Sequence, residues 1–511
     1  MRTLLSRFCR AGLPLAVLLL LLDAGAWAQK PALGINWPAF LRQQDMVWQG
    51  RLPTAWTSGS FLGNGLLGAM LYVPPDSNAV RIDIGRSGYQ DHRDSTQQGF
   101  ATRYPRLPIG YFLLRPVGEI QPGSTMRLNL YNAETTADIV TTKGRIHLRA
   151  YVHAEQMVLV VETTSTGEEQ NYGLQFHPLA AVSPRQQFGI DHHRPARIEP
   201  NYPPNPPWRL GSAGEISYCE QPLLYGGQLT TAWVVSRLGP ARTILINATP
   251  TYPARNSTAR AVALLRQVGA QPADGLTQTH RRWWHAYYPQ SFVALPDARL
   301  ESFYWIQLYK LAAATRADRA LMDNQGPWLQ PTPWPYATWN LNVQLSYWPT
   351  YTSNHLGLSE SLTRGLWQHR ANLAHNVPLP YRAGTYGIGR ATGTNLLAAI
   401  EAPNGQNAPE IGCLPWACHN LWLHYRHTMR RPLLRDTLFP LLRGSINFYL
   451  NFLQNGPDSR LHLPPTLSPE YEKTAPDMNF DLALLRWGCR TLLEIDSTLH
   501  LHDPLRGRWR K

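Results

Sequence analysis

The spacing of apolar residues changes partway along the chain, and this change restricts the possible folds more than any other feature of the sequence. Within residues 47–269 apolar and polar residues alternate in short segments such as residues 145–152, or form continuous apolar runs such as residues 157–161. Both patterns are typical of β-strands, and turn signals such as Pro122-Gly123 separate them. Many short strands without intervening helices predict an N-terminal β-sandwich domain.

From about residue 298 the apolar residues follow a helical period, because Leu300, Tyr304 and Leu311 fall on one face of a helix. Further helices are predicted at residues 356–376, 414–428, 432–453 and 479–499. Such a set of helices amounts to half of a large helical toroid. The predicted organisation is a signal peptide (residues 1–28), a β-sandwich domain (29–269), a linker (270–297) and an incomplete α-helical domain (298–511).

The first residues have the form of a secretory signal peptide. Arg2, Arg7 and Arg10 precede an apolar run at residues 13–22, and Ala26-Trp27-Ala28 follows it. The alternative is an uncleaved anchor, but the run is about half of the ~20 apolar residues that a membrane-spanning helix needs. We therefore expect cleavage near Ala28 and a secreted or periplasmic protein that is free of the membrane after cleavage.

Charge and cysteine content bear on the possible partners. The formal net charge is +14, but the basic residues are scattered, and only residues 506–511 form a basic run. A nucleic-acid-binding protein concentrates its positive charge on one patch, so we expect no nucleic-acid partner. The oligomeric state is left open by the sequence.

Four cysteines follow the signal peptide, and their spacing fits no zinc motif. We expect them to be buried free thiols, and we expect neither a metal nor an organic cofactor. These cysteines are Cys219, Cys413, Cys418 and Cys489.

Residues 324–349 combine the side chains that a sugar-binding site needs, namely aromatic rings that lie against a pyranose and amides that orient hydroxyl groups or water. Asn340 and Asn342 are two residues apart, which on an extended segment directs both amides to the same side. Alternatively, they cap the helix predicted over residues 343–348, where Asn is favoured. The other candidates for sugar contact in this stretch are Gln325, Trp328, Trp334, Trp339 and Trp348.

Glu470 is the candidate for a catalytic carboxyl group. Pro469 disfavours a helical conformation at Ser468, so Glu470 is predicted to lie on a loop between two helices. Loops at the mouth of a helical toroid commonly display catalytic residues. The alternative is a solvated surface charge, which is the usual role of a single Glu in a loop.

Several motifs together resemble glycoside hydrolase family 95, the inverting α-L-fucosidases. They occur in the family's order and span nearly all of the chain after the signal peptide. The motifs are residues 62–70 (LGNGLLGAM), Gln325-Gly326-x-Trp328, Pro333-Trp334, the run from Thr338 to Pro349, Trp416-Ala417-Cys418, Trp422, His424-Tyr425 and Ser468-Pro469-Glu470.

The resemblance implies a β super-sandwich packed on an (α/α)6 barrel, and an oligosaccharide or glycan substrate carrying terminal α-linked L-fucose or a related sugar such as L-galactose. By position, Glu470 matches the general acid that protonates the leaving oxygen. Asn340 and Asn342 match the amides that position the attacking water. The His424-Tyr425 motif adds His424 to the residues expected to bind the substrate.

The chain also departs from the family pattern. The general base of the family is an Asp in a later loop, which does not occur before Lys511. Asp477 and Asp481 are possible replacements, although capping and the dipole of the next helix also account for an Asp at such positions. Residues 387–410 lack the expected His and Asp pattern, Leu423 stands where the family has Glu, and the acidic motif near residues 83–89 is altered.

These departures leave two functional hypotheses. The first is an exported exo-acting glycosidase that uses water as the nucleophile and forms no covalent intermediate. The second is a non-catalytic carbohydrate-binding protein, or an inactive truncated family member that lacks the general base.

Overall fold

The computed structural model describes residues 34–93, 104–403, 408–471 and 473–511. The predicted signal peptide, residues 1–28, lies outside these ranges.

Antiparallel strands dominate the described residues up to 251. In chain order they are β1 (Met46–Trp48), β2 (Ser60–Gly63), β3 (Leu67–Tyr72), β4 (Val80–Arg86), β5 (Gly110–Arg115), β6 (Thr125–Asn129), β7 (Glu134–Thr141), β8 (Gly144–Val152), β9 (Leu159–Gly167), β10 (Gly173–Pro178), β11 (Arg209–Ala213), β12 (Ile216–Pro222), β13 (Gln228–Leu238) and β14 (Ala241–Thr251).

The strands form two sheets that pack face to face. The nine-stranded sheet has the order β1-β6-β7-β8-β9-β14-β13-β12-β11, and the five-stranded sheet has the order β10-β5-β4-β3-β2. Apolar side chains on alternate positions meet between the sheets, for example Phe112 of β5 and Trp233 of β13, whose ring centroids are 5.4 Å apart. The prediction of a β-rich N-terminal part followed by a helical part is confirmed.

Helices account for most of the regular structure from residue 257 onward. In chain order the helices of the described residues are α1 (Trp37–Arg42), α2 (Pro184–Asp191), α3 (Ser257–Gly269), α4 (Ala273–Tyr287), α5 (Ala298–Ala314), α6 (Asn342–Thr352), α7 (Leu356–Gln368), α8 (Arg370–His375), α9 (Cys413–Thr428), α10 (Phe439–Leu450, preceded by a π-helical turn at Leu433–Leu438), α11 (Asn479–Leu499) and α12 (Arg506–Trp509). None of these helices is long and apolar enough to cross a membrane.

Short strand pairs shape the loops between the helices. They are β15 (Ala337–Thr338) with β16 (Ala391–Thr392), β17 (Gln454–Asn455) with β18 (Leu461–His462), and β19 (Thr466–Leu467) with β20 (Thr474–Ala475).

The segment predicted as a linker, residues 270–297, contains the 15-residue helix α4. This helix packs against the nine-stranded sheet, where Arg281 forms an ion pair of 2.6 Å with Glu134 of β7. On the other side the Trp284 ring lies 5.1 Å from the ring of Tyr309 in α5. The segment is therefore a packed bridge between the two parts of the molecule.

The β-part and the helical part meet at a row of three glycines. Gly63, Gly68 and Gly85 are neighbours across β2, β3 and β4. A Cβ atom on Gly68 would lie 3.0 Å from the Pro327 backbone, and one on Gly85 would overlap the Pro327 carbonyl oxygen. The absence of side chains lets Pro327 and Trp328 pack directly on the strands, and the Trp328 indole donates to the Leu62 carbonyl at 2.8 Å.

Asn64, in the same glycine-rich motif, is fully buried and holds the turn between β2 and β3. Its Nδ2 donates to the carbonyls of His153 and Gln156, and its Oδ1 accepts from the backbone amides of Leu66 and Leu67. These four hydrogen bonds explain why an Asn stands between the two glycines of the motif.

We expect the Asn64→Ala variant to lose about 2–3 kcal/mol of unfolding free energy, because it leaves several buried backbone groups without a partner. Urea denaturation checks this value. Asn201, exposed in the Pro-rich loop, is the matched control, and its change to Ala should cost less than about 0.5 kcal/mol. Equal midpoints for the two variants would contradict the assignment.

Candidate active site

Three parallel helices, α6, α9 and α11, present their N-termini at one end of the helical part. The Gln344 side chain, in the first turn of α6, donates to the Cys413 carbonyl at the start of α9 at 3.4 Å. The rings of Trp416 in α9 and Phe480 in α11 lie 5.8 Å apart. The N-termini of the three helices, each with a partial positive charge, therefore lie close together at this end.

Asn340 lies at this end, two residues after β15. The preceding residue, Trp339, is fixed by two hydrogen bonds, from its backbone amide to the Arg390 carbonyl at 2.7 Å and from its indole to Thr392 Oγ1 at 2.9 Å. Asn340 is 5% exposed, and its side chain has no hydrogen-bond partner among the described residues. A nearly buried amide of this kind has its donor and acceptor free for a ligand.

Asn342 is exposed and is the first residue of α6. The helix start shows no side-chain capping bond, so the capping alternative does not account for this residue in the structure. Between the two asparagines, Leu341 has φ 158° and ψ −56°, a combination outside the helical and extended regions. Such strain is common at functional sites.

Glu470 lies at the tip of the hairpin formed by β19 and β20. Its side chain is exposed and forms no hydrogen bond or ion pair with a described residue. The residue adopts φ +63°, in the left-handed region that non-glycine residues rarely occupy. The loop position predicted from Pro469 is therefore present, in a strained conformation.

One segment of the chain connects the surroundings of Asn340 and Glu470. The Arg390 carbonyl accepts from Trp339, while the Pro409 carbonyl accepts from the backbone amide of Leu467 at 3.2 Å. The Arg390 guanidinium and the Glu410 carboxylate close this segment with an ion pair whose Nε and Oε2 are 2.7 Å apart. Arg390, which is bonded to the Asn340 loop, is thus ion-paired with Glu410, which follows the residue bonded to the Glu470 hairpin.

Arg390 and Glu410 are site residues that the sequence reasoning did not identify. Glu410 is buried at the N-terminus of α9, and its Oε1 lies 3.1 Å from the Cys413 sulfur. Burial, together with the negative charge of Glu410, raises the pKa of the Cys413 thiol. In the sequence this pair is visible only as Arg390 and Glu410, near the two ends of a stretch with few other charged residues.

The two candidate replacement bases are both engaged by protein groups. Asp477 accepts from His462 Nδ1 at 2.5 Å and from the Leu463 amide at 2.8 Å. Burial acts to raise the pKa of Asp477, but the hydrogen bonds from His462 and the Leu463 amide, together with the charge of His462, outweigh it and the pKa is lowered. Asp481 is fully buried, and burial raises its pKa to about 6. Neither residue caps α11, whose N-cap is Met478, although Asp481 lies in the first turn.

The remaining predicted substrate-binding residues lie in different places. Gln325 and Trp328 line a cleft of about 800 Å³ at the boundary between the β-part and α5. The Trp334 ring lies 4.8 Å from the Arg185 guanidinium, and Trp348 is 40% exposed on α6. Trp339, as described above, is buried behind Asn340.

His424 lies toward the C-terminal end of α9, about 16 Å along the helix axis from Cys413. Its Nδ1 is 3.2 Å from Thr363 Oγ1, and its Nε2 is 3.7 Å from Glu360. The structure therefore brings the surroundings of Asn340, Asn342 and Glu470 together at one end of the helices, whereas His424 lies toward the other end of α9. Gln325 follows Asn324, whose side chain donates to Thr338 Oγ1 at 2.8 Å, two residues before Asn340.

The described residues contain no group of three or more His, Cys, Asp or Glu side chains that could hold a metal ion.

Comparisons with known proteins agree with this architecture. Residues 274–511 match the model of the glycosyl hydrolase family 95 catalytic domain. Alpha-L-fucosidase 2 of Arabidopsis thaliana is 28% identical over 174 residues, which are 33% of this chain and 20% of the fucosidase. The chain thus aligns with a fifth of the length of that relative.

Among solved structures, a candidate kojibiose phosphorylase from the human microbiome superposes with a TM-score of 0.61 at 12% identity, over 90% of this chain and 64% of the other. A bacterial glucoamylase complexed with acarbose gives a TM-score of 0.44 at 10% identity. The first likeness shows that the combination of β-sheets and helices is a shared fold.

Proposed function

We propose, from the premise that residues 274–511 belong to the glycosyl hydrolase family 95 catalytic domain, that this chain is an exported glycosidase. Its substrate is a glycan with terminal α-linked L-fucose or a related sugar such as L-galactose, hydrolysed with inversion at the anomeric carbon. The signal-peptide pattern of residues 1–28 supports export, and the name of the Arabidopsis relative supports fucose.

One observation carries the proposal most directly. Trp339, next to Asn340, bonds to Arg390, and Leu467 of the Glu470 hairpin bonds to Pro409. Arg390 is ion-paired with Glu410, the neighbour of Pro409, at the end where α6, α9 and α11 begin. An inverting glycosidase needs an acid on one side of the sugar and a water-orienting group on the other. An exposed carboxyl and an unpartnered amide at the same end of the molecule are suited to these roles.

In the proposed reaction, Glu470 donates a proton to the glycosidic oxygen as the bond from this oxygen to the anomeric carbon breaks. A water molecule held by the Asn340 and Asn342 amides attacks that carbon from the opposite face. The proton released by the water passes to the solvent, because Asp477 and Asp481 are both hydrogen-bonded within the protein.

Because both aspartates are hydrogen-bonded within the protein, neither is free to act as the base. This favours a second candidate function, the binding of a fucosylated glycan without hydrolysis. The aromatic and amide side chains would then provide recognition, and Glu470 would be a polar contact.

Incubation of the purified protein with an aryl α-L-fucoside distinguishes the two. We expect release of the phenol, with the β-anomer of fucose appearing first when the products are followed by NMR, since inversion reverses the anomeric configuration. The aryl β-L-fucoside, which has the opposite configuration, is the control and should not be cleaved. Saturable binding of L-fucose without any turnover would support the second candidate instead.

A further inference from the structure

The hairpin that carries Glu470 is held at its base by one buried side chain. Asp481, in the first turn of α11, is fully buried. Its Oδ1 accepts from the Tyr449 hydroxyl of α10 at 2.6 Å, and its Oδ2 accepts from Thr466 Oγ1 of β19 at 2.5 Å. One carboxyl group thus joins α10 and α11 to the strand that leads to Glu470.

The tip of the hairpin depends on this base for its position. Thr466 is fully buried and pairs with Ala475 across the hairpin, and Leu467 is bonded to Pro409. Glu470 follows Thr466 by four residues, and its own side chain has no partner among the described residues. The direction in which Glu470 points is therefore set by the backbone and by the attachment of β19.

The surroundings of Asp481 leave its charge uncompensated. The groups that face it are Tyr449 from α10, Thr466 from the hairpin, and Glu410 with Cys413 from the start of α9. Arg390, whose positive charge acts on Cys413, is itself paired with Glu410.

We propose that Asp481 is a positioning residue for the acid Glu470, acting through its hydrogen bond to Thr466. This inference rests on the proposed function, because it assigns a role in orienting the acid of that reaction. In the protein the neutral form of Asp481 can accept from one hydroxyl and share its proton with the other, so the anchor persists without a counterion.

Two conservative variants separate this role from general stability. Thr466→Val removes the bond to the hairpin and keeps the bond from Tyr449, whereas Tyr449→Phe removes the bond to α10 and keeps the one to the hairpin. We expect Thr466→Val to lower the turnover of an alkyl α-L-fucoside at least about tenfold. Turnover of an activated aryl fucoside, which requires little proton donation, should fall less than threefold, and Tyr449→Phe should change both less than threefold.

Hydrogen exchange of peptides covering residues 463–476 provides a readout that does not depend on turnover. The exchange rate, corrected for the intrinsic effect of pH, should increase in Thr466→Val and stay unchanged in Tyr449→Phe. The pKa of Asp481 is raised from its ordinary value of 3.8 to about 6, so protonation favours the folded anchor. Wild-type protection should therefore decrease as the pH rises from about 4 to about 6, whereas Asp481→Asn should lack this dependence in that range.

The outcomes are distinct from those that test the proposed function. If the wild type hydrolyses fucosides and Thr466→Val retains full turnover of the alkyl substrate, the inference is overturned while the function stands. If the wild type shows no turnover, the proposed function fails, and with it the role in orienting an acid, whatever the exchange rates show. Equal exchange in Thr466→Val and the wild type would overturn the anchor itself.

Discussion

Replacing Glu470 with Gln is expected to lower the turnover of an alkyl α-L-fucoside by about 10²–10⁴-fold, which is the usual contribution of a general acid. An alkoxide is a poor leaving group, so in the proposed reaction its departure depends on a proton from Glu470. With an aryl leaving group such as 2-chloro-4-nitrophenol the loss should be much smaller, because the phenolate departs without protonation. Measurement of kcat for both substrates tests the assignment.

Glu494→Gln is the matched control for this experiment, since Glu494 is an exposed glutamate of α11 whose ion-pair atoms lie 3.8 Å from Arg426. It should leave both kcat values unchanged. An equal loss of turnover with the alkyl and aryl substrates in Glu470→Gln would indicate a role other than proton donation, such as sugar binding.

Replacing Arg106 with Ala is expected to cost about 3–5 kcal/mol of unfolding free energy, the usual effect of removing one partner of a buried ion pair. Arg106 is fully buried and lies 3.3 Å from the Asp323 carboxylate. The same guanidinium donates to the carbonyls of Gly326, Pro327 and Trp328. The variant would leave both the buried carboxylate and these carbonyls without their donor.

A double-mutant cycle tests this mechanism by denaturation. Burial raises the pKa of Asp323 even in the presence of Arg106, so the isolated carboxylate should be still harder to ionise. Arg106→Ala with Asp323→Asn should therefore recover part of the loss, and the single variant should be less destabilised at pH 4 than at pH 7. Arg237→Ala, at an exposed position of β13, is the control. If the effects of the two substitutions on the unfolding free energy were strictly additive, the ion pair would not be the cause of the loss.

Elements with a strong local pattern could be predicted from the sequence. Helix α11 has the bounds predicted from its apolar period, Asn479–Leu499, and the strand predicted at residues 145–152 corresponds to β8. In these elements one face is buried along the whole length, so the period of apolar residues determines the structure. The loop position of Glu470 followed in the same way from the backbone restriction imposed by Pro469.

Contacts between residues distant in sequence could not be predicted in this way. The pairs Arg390 with Glu410 and Arg106 with Asp323 form only when the fold brings separate loops together, and a charged residue in a loop gives no local sign of its partner. Residues 270–297 are predicted to be a linker between the two domains, yet helix α4 within them is stabilised on both sides by contacts of Arg281 and Trp284.

The surroundings of aromatic residues are a second feature that the sequence does not predict. Trp328 and Trp348 occur in the same stretch and were both assigned to sugar contact. The Trp328 ring packs on the glycine row and its indole bonds to Leu62, whereas Trp348 is 40% exposed. Composition alone does not distinguish an indole that packs on a neighbouring sheet from one that is open to a ligand.

The glycine row at Gly63, Gly68 and Gly85 has a mechanical consequence. Because main chain lies directly on main chain there, with no flexible side chains between, the two parts of the molecule cannot slide past each other without losing close packing. The β-sheets thus act as a rigid support for the loop that leads from Trp328 to Asn340. A methyl group added at one of these strand positions would therefore displace residues of the helical part.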